Sequence, residues 1–591
     1  MDGAREPDLN LATLWEAVAD TVPDALAVVQ GGVRRTWRDL DRRASRLAGA
    51  LQAAGVSAGS RVAIDCYNCP EYLETVFAAF KLRAAPVNLN YRYRSKELVP
   101  LLEDAGVSAL VYHGALADRV REAADGLGRD LFLIEVTDGD AAPLPGASAF
   151  EAVIGAAPPA SRQARSGDDE FLLYTGGTTG LPRGVRWRHR AVFGMQQLQI
   201  GQRGLDVPTD AAELAAAVAQ LHARDDAPTA LVVSPLMHGT AIFNSMGAFG
   251  LGGTVVLCTS RSLDPDEICR LIATYRIRQL SIVGDAFAKP ILAALDDAEA
   301  AGTPYDLSSL ERVTSVGVTW SGEVKQGLLR HADVVLVDGV AASEGGGFAT
   351  AETRRGDPVV TGRFRLGPSA KVLREDGTEV TPGSGEVGYL AASGPLPDGY
   401  LNDPDKTART WKTIGGVRYV VPGDMAKLDP DGTVVLLGRG SEVVNTGGEK
   451  VFVEEVEQAI ATDPGVEDVL VVGVPDDRFG TRVAAVVQLA HGAHRTERAI
   501  VDHVGEQLAD HKRPRQVVFV EAVPRTPAGK ADRAGARAIA AAAAGTQPPG
   551  NPAAAGTQPP GNPAAAGTQP PGNPAGSNRA AGAATTTDKG A

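Results

Sequence analysis

At 591 residues with 44% hydrophobic content, the chain is an ordinary globular sequence too long for one simple core, which predicts two or three domains. Its net charge of −14 excludes a general nucleic-acid or anionic-membrane binder, so any phosphate site must be a local basic pocket. No run of about 18 apolar residues and no secretory pattern at the N-terminus occurs, which predicts a cytoplasmic protein without an integral membrane segment.

In chain order, Leu40, Ala44, Leu47 and Leu51 share one helical face with Arg42, Arg43 and Arg46 opposite, and Gly55 closes the run. Short β-branched runs predict strands at 61–65, 107–113, 131–136, 229–234, 254–258, 280–284 and 334–339. Before the sixth of these, Asp264 fits a helix N-cap and Pro265 the first helical position, and Ile268, Leu271, Ile272 and Tyr275 repeat at helical spacing. This alternation predicts an α/β fold with mainly parallel sheets flanked by helices. From about residue 380 the texture changes to short strands and turns, and a compact helix–strand pattern then runs to about residue 541 as a small α+β domain. The expected boundaries are 1–439, 440–541 and 542–591. In the last segment "AAAGTQPPGNP" occurs three times between Ala542 and Pro574. Its prolines forbid a continuous helix and it has no large apolar residue to bury, so disorder is expected there.

Four cysteines are too few for a disulfide framework. Cys66 and Cys69 form a CxxC without a second pair or spaced histidines, and are read as structural rather than as a redox or zinc site.

The stretch "LLYTGGTTGLPRGV" (172–185) has little to put in a core. Its backbone N–H groups, hydroxyls and one fixed cation suit a phosphate, though a glycine-rich surface turn would read the same in isolation. The P-loop pattern fails, because Pro182, Arg183 and Gly184 follow where Gly-Lys-Ser/Thr is required. Further along stand "PLMHGT" (235–240), "VAASE" (340–344), "VPGDMA" with Asp424, "LGRGSEVVNTGGEKVFVEEVE" (437–457) and "VPRTPAGKADR" (523–533). Together with the loop they are six ordered motifs, and the chain resembles the adenylate-forming superfamily of acyl-CoA synthetases, luciferases and peptide-synthetase adenylation domains. The likeness is strongest to actinobacterial fatty-acid and sterol side-chain acyl-CoA synthetases.

The resemblance implies a large N-terminal domain that includes a distorted β-barrel subdomain, and a small mobile C-terminal domain carrying the catalytic lysine, Lys530. It implies that Thr175, Gly176, Gly177, Thr178, Thr179 and Gly180 hold the ATP phosphates with Arg183. Asp338, Gly339, Val340 and Ser343 would line the nucleotide, Glu344 would hold Mg²⁺, Asp424 the ribose hydroxyls, and Arg439 would contact the nucleotide. His238 would border the acyl pocket, which Trp320 and Phe243 could also shape or merely pack beneath. Rotation of the small domain would bring Gly447 and Gly448 to the site for coenzyme A. The chemistry fits these residue types: joining a carboxylate to a polyanion requires cations and aimed dipoles, Mg²⁺ takes few protein carboxylates, and an acid accepts from two hydroxyls.

The chain departs from the family pattern at Arg183 (usually Lys), Val340 (usually aromatic), Ala341 (usually Gly), Ser441 (often Asp or Lys) and Val453 (usually Pro). The expected reaction is ATP-dependent formation of acyl-CoA, AMP and pyrophosphate from a hydrophobic carboxylic acid. The alternatives are a ligase that loads a carrier-protein thiol, and a degenerate nucleotide-binding homologue.

Overall fold

The computed structural model describes residues 9–139, 142–175, 182–317, 320–358, 363–439, 443–525 and 532–544. Two sheets with parallel centres carry the large domain. In the first, Leu26–Gln30, Thr254–Leu257, Thr229–Val232, Gln279–Ile282, Arg312–Val316 and Val335–Ala342 lie side by side and parallel. In the second, Glu170–Thr175, Ala85–Asn88, Arg61–Asp65, Ala109–His113, Phe132–Val136 and Ser148–Ala149 do the same.

Side chains alternate across a strand, so each sheet feeds two cores. Val28, Ala230, Val232 and Val255 join the largest core, while Val29, Leu231, Val256 and Leu280 face a second one. Likewise Val62, Ile64 and Val111 enter the largest core, and Ala63, Leu110 and Tyr112 a third. Burial on both faces explains why these strands read as unbroken apolar runs, and all seven sequence-predicted strands are present. The largest core thus packs one face of each sheet against helices that include Leu11–Thr21, Trp37–Ala53 and Gly239–Phe249. Trp15, Trp37 and Phe249 meet edge to face there, with centroids 5.1–5.3 Å apart.

Helix starts follow local rules. Thr36 and Asp39 form a reciprocal capping box at Trp37–Ala53, and the Asp264 carboxylate accepts from the Glu267 N–H ahead of Pro265–Tyr275. Cys66 and Cys69 are buried free thiols, and burial pushes the Cys66 thiol up, as a structural pair requires.

Beyond the hairpin Val335–Ala342/Gly345–Thr353 the first sheet turns antiparallel through Arg363–Leu366, Val434–Arg439, Asp424–Leu428 and Gly388–Ala392. These strands make up the subdomain expected as a distorted barrel, hydrogen-bonded directly onto the parallel sheet. The small domain has a three-stranded sheet, Val466–Asp476, Gly480–Leu489 and Gln516–Val520. Helices Val453–Ala461 and Glu497–Gly505 cover one face and Arg533–Ala544 the other. Val453 opens its helix, a position where proline is also at home.

The chain divides into two units, Met1–Ala543 and Ala544–Ala591. The repeat expected to be disordered lies outside the described residues apart from Ala542–Ala544, which extend the last helix. Among the described residues no helix is long and apolar enough to cross a membrane.

Candidate active site

The site residues gather at the carboxyl ends of parallel strands, where open α/β sheets bind ligands. Thr175 ends its strand, His238 follows Thr229–Val232, Val283 follows Gln279–Ile282, and Asp338 to Glu344 finish Val335–Ala342.

Thr175 pairs with Arg183 across the antiparallel strands Glu170–Thr175 and Arg183–Arg188. Gly176, Gly177, Thr178, Thr179 and Gly180 lie outside the described residues. Gly184 is required where it stands, because a Cβ would meet the Tyr174 ring at 2.7 Å. Arg183 forms an ion pair with Asp403 at 2.5 Å. The short strand Gly399–Tyr400 adds to the other edge of Arg183–Arg188, and the Leu401 N–H donates to the Gly184 carbonyl at 2.7 Å. This pairing brings the Tyr400 hydroxyl onto Glu344 Oε1 at 2.9 Å. The Trp187 indole N–H donates to the Ser343 carbonyl at 3.2 Å. One strand, Arg183–Arg188, therefore ties Glu170–Thr175 to the turn that carries Glu344.

Along Val335–Ala342, Gly339 gives close passage to Val316, whose Cγ2 would lie 3.2 Å from a Cβ. Val340 and Ser343 are half-buried and Ala341 is exposed. Within the strand, the Asp338 carboxylate takes the buried Lys325 ammonium at 2.9 Å, and its backbone sits between two paired strands. A buried ammonium needs such a counter-ion. Trp320 is fully buried and stacks under Lys325, with Nζ 5.3 Å from the ring, so it packs the core. Phe243 packs edge-on against Trp187 with centroids 5.3 Å apart.

Asp424 stands opposite Arg439 in the register of Asp424–Leu428 and Val434–Arg439. Lys530 and Ser441 lie outside the described residues.

The small domain reaches this site through the hairpin Val443–Thr446/Glu449–Phe452. Gly447 and Gly448 make its two-residue turn with φ of +56° and +86°, which only glycine adopts readily. A Cβ on Gly448 would meet Val283 of the large domain at 2.9 Å. Next to the turn, Glu449 Oε1 lies 3.2 Å from His238 Nε2 and pairs with Arg92, while Oε2 lies 3.9 Å from His511. Burial opposes the Glu449 charge, but His238, His511 and Arg92 outweigh it and hold the carboxyl well below its usual range. Burial pushes His511 down to about 4, so its ring is uncharged at neutral pH, while the Arg92 guanidinium keeps its charge. Further out, Lys512 donates to Glu97 and Glu455 at 2.7 Å each. His238, expected beside the acyl pocket, is thus in contact with the incoming hairpin.

The profile described as AMP-binding enzyme matches residues 15–401, and the one described as AMP-binding enzyme C-terminal domain matches 455–530. The chain belongs to the AMP-binding enzyme family. It is 39% identical over 546 residues to the medium-chain acyl-CoA ligase Mig of Mycobacterium avium, covering 88% of this chain and 96% of that protein. It is 37% identical over 537 residues to the 3-oxocholest-4-en-26-oate–CoA ligase of Rhodococcus rhodochrous, covering 89% and 94%. The amide bond synthetase McbA of Marinactinospora thermotolerans shares its fold, with a TM-score of 0.72, 24% identity, and coverage of 89% and 99%.

Within the AMP-binding enzyme fold, reading by motif passed over Tyr400, Asp403, Lys406, Arg92 and Lys512. "GYLNDPDKT" (399–407) carried a signal: a glycine, an aromatic residue and an Asp-Pro helix start beside charged residues. No local pattern marks the partners of Glu449.

Proposed function

We propose that this AMP-binding enzyme joins a hydrophobic carboxylic acid to coenzyme A at the expense of ATP, through an acyl-AMP intermediate. The relatives named for medium-chain and 3-oxocholest-4-en-26-oate ligation support a fatty acid or a sterol side-chain acid as the substrate class. The observation that carries the reading is twofold: Tyr400 links the paired strand Arg183–Arg188 to Glu344, and the Gly447–Gly448 turn meets Val283, at the carboxyl end of a parallel strand in the sheet that carries Glu344. ATP handling and an approach for a narrow thiol arm then share one place.

The chemistry follows from these groups. The acid's carboxylate attacks the α-phosphorus, the bond to the bridging oxygen breaks, and pyrophosphate leaves with the electron pair. Backbone N–H groups of the loop, Thr178, Thr179 and Arg183 hold the β- and γ-phosphates, Asp424 accepts from the ribose hydroxyls, and Lys530 steadies charge at the α-phosphate. The Glu344 carboxylate, which accepts from the Tyr400 hydroxyl, is an oxygen donor of the kind Mg²⁺ takes and would hold it there. When bound, Mg²⁺ would offset the charge of the triphosphate. Gly447 and Gly448 let backbone rather than side chains border the pantetheine arm. We place the reaction in the cytoplasm, which supplies ATP and coenzyme A together.

The test is a pooled incubation with ATP, Mg²⁺ and coenzyme A over short to long fatty acids, aryl acids and sterol side-chain acids, read by mass spectrometry. A new acyl-CoA with AMP is expected. Acyl-AMP without thioester would overturn the coenzyme A step, and neither product would overturn the reading.

A further inference from the structure

Arg183 stands where the family's loop usually has lysine, and it is committed to Asp403 at 2.5 Å. A guanidinium held by a carboxylate has less charge left for a triphosphate than a free ammonium would. Asp403 also caps the helix Pro404–Thr410, accepting from the Lys406 N–H at 2.9 Å. That cap sets the first turn of the helix beside the strand Arg183–Arg188, and the first turn carries Lys406.

The Lys406 Nζ lies 4.6 Å from the centroid of the Tyr400 ring, on the residue whose hydroxyl holds Glu344. The side chain is half-buried, and among the described residues its ammonium has neither a hydrogen-bond nor an ion-pair partner. A partly desolvated ammonium over a ring face is poorly compensated, since the ring quadrupole replaces only part of its hydration. The charged groups around it are Arg183 on that strand, Glu344 at the sheet turn, Asp403 at the cap and Arg409 on its own helix. Burial first, and then the Arg183 charge, push the Lys406 ammonium down from its ordinary range, against the smaller pull of Glu344 and Asp403. Such a cation gains most from an arriving anion.

We propose that Lys406 binds a terminal phosphate oxygen of ATP and holds the pyrophosphate as it leaves, adding a mobile point charge beside the Arg183 guanidinium, which is tied to Asp403. This rests on the proposed adenylation. In that step the new bond forms between the carboxylate oxygen and the α-phosphorus. The electron pair of the broken bond goes to pyrophosphate, whose added charge Lys406 meets without any proton transfer. A cation at the leaving group favours the transition state, in which that charge is growing. Tyr400 positions both partners, with its ring under Lys406 and its hydroxyl on Glu344.

The experiment is calorimetric binding of MgATP, pyrophosphate and AMP to the full chain without acid, for wild type, Lys406→Met and Lys406→Arg. Methionine keeps the stem packed on Tyr400 and removes only the charge. Expected is a weakening of MgATP and pyrophosphate by about ten- to a hundredfold in Lys406→Met, with AMP changed less than about twofold. Lys406→Arg should recover most of the loss. In wild type, MgATP affinity should fall on an alkaline limb as Lys406 loses its proton, and that limb should move upward in Lys406→Arg and vanish in Lys406→Met. An equal loss for AMP and ATP, or no loss for either, would overturn the assignment while leaving the proposed function standing. A wild-type chain that binds no MgATP would overturn both.

Discussion

Two charged clusters flank the candidate site, and they are built on different principles. The cluster of Arg183, Asp403, Lys406, Tyr400 and Glu344 lies wholly in the large domain, on a strand pair and the helix beside it. The other cluster takes half its groups from each domain. Glu449 meets Arg92 and His238, Lys512 bridges Glu455 of its own domain and Glu97 of the other, and Arg94 pairs with Asp510. The first exists however the small domain sits. The second exists only in the docking observed, with the Gly447–Gly448 turn at the site. The difference teaches that groups handling ATP and groups stabilising the second half-reaction should separate cleanly on mutation.

The strongest break of that separation is expected at Lys530. Lys530→Ala should slow adenylation, read by pyrophosphate exchange, on the order of 10²-fold or more, the scale of removing an aimed transition-state donor. Thioester formation from supplied acyl-AMP should suffer far less; equal losses would end the role assigned to Lys530.

Acid tests the two regions in parallel, since each holds a buried histidine. His189 in the large domain and His511 at the domain contact are both pushed down to about 4 by burial. The unfolded chain takes up these protons near pH 6.5 and the folded chain only near pH 4, so stability falls as pH drops through that window. At pH 5 each residue should contribute about 2 kcal/mol of destabilisation. His189 Nδ1 accepts from the Leu11 N–H, so His189→Gln should flatten the acid limb of large-domain melting without touching that of the small domain. A single unchanged limb in calorimetry would contradict this.

At the domain contact, Lys512→Met strands two glutamates and should slow thioester formation from acyl-AMP about tenfold, with pyrophosphate exchange nearly unchanged. Glu97→Gln keeps the Lys512–Glu455 pair, so a loss of only about two- to threefold in the same step is expected. If either variant slowed pyrophosphate exchange as much as thioester formation, the docking-specific role would be wrong.

The parts of the fold that could be read in advance are those set by local chemistry. Strands such as Arg61–Asp65 and Gln279–Ile282 are buried on both faces and read as apolar runs, and Asp264-Pro265 announces its helix. Arg183–Arg188 hides because its arginines are neutralised by distant acids, among them Asp398 and Asp403. The same reason divides the site. Glu344 and Asp424 could be named from ordered motifs, while Tyr400 meets Glu344 across 56 residues, Glu449 meets His238 across 211, and Arg92 meets Glu449 across 357. The Asp338–Lys325 pair was equally hidden, because nothing in "VVLVDG" reveals that Lys325 approaches from a neighbouring helix.

Trp187 gives the chain an optical property of its own. Among the described residues the indole N–H groups of Trp15 and Trp37 find no acceptor, whereas that of Trp187 rests on the Ser343 carbonyl. Trp15 and Trp37 are held among apolar rings, Trp187 is wired to the residue preceding Glu344, and Trp411 packs on the Tyr400 ring whose hydroxyl reaches the same acid. Any shift of that turn when nucleotide arrives would be written into the colour of Trp187 and Trp411 against the background of the two core indoles.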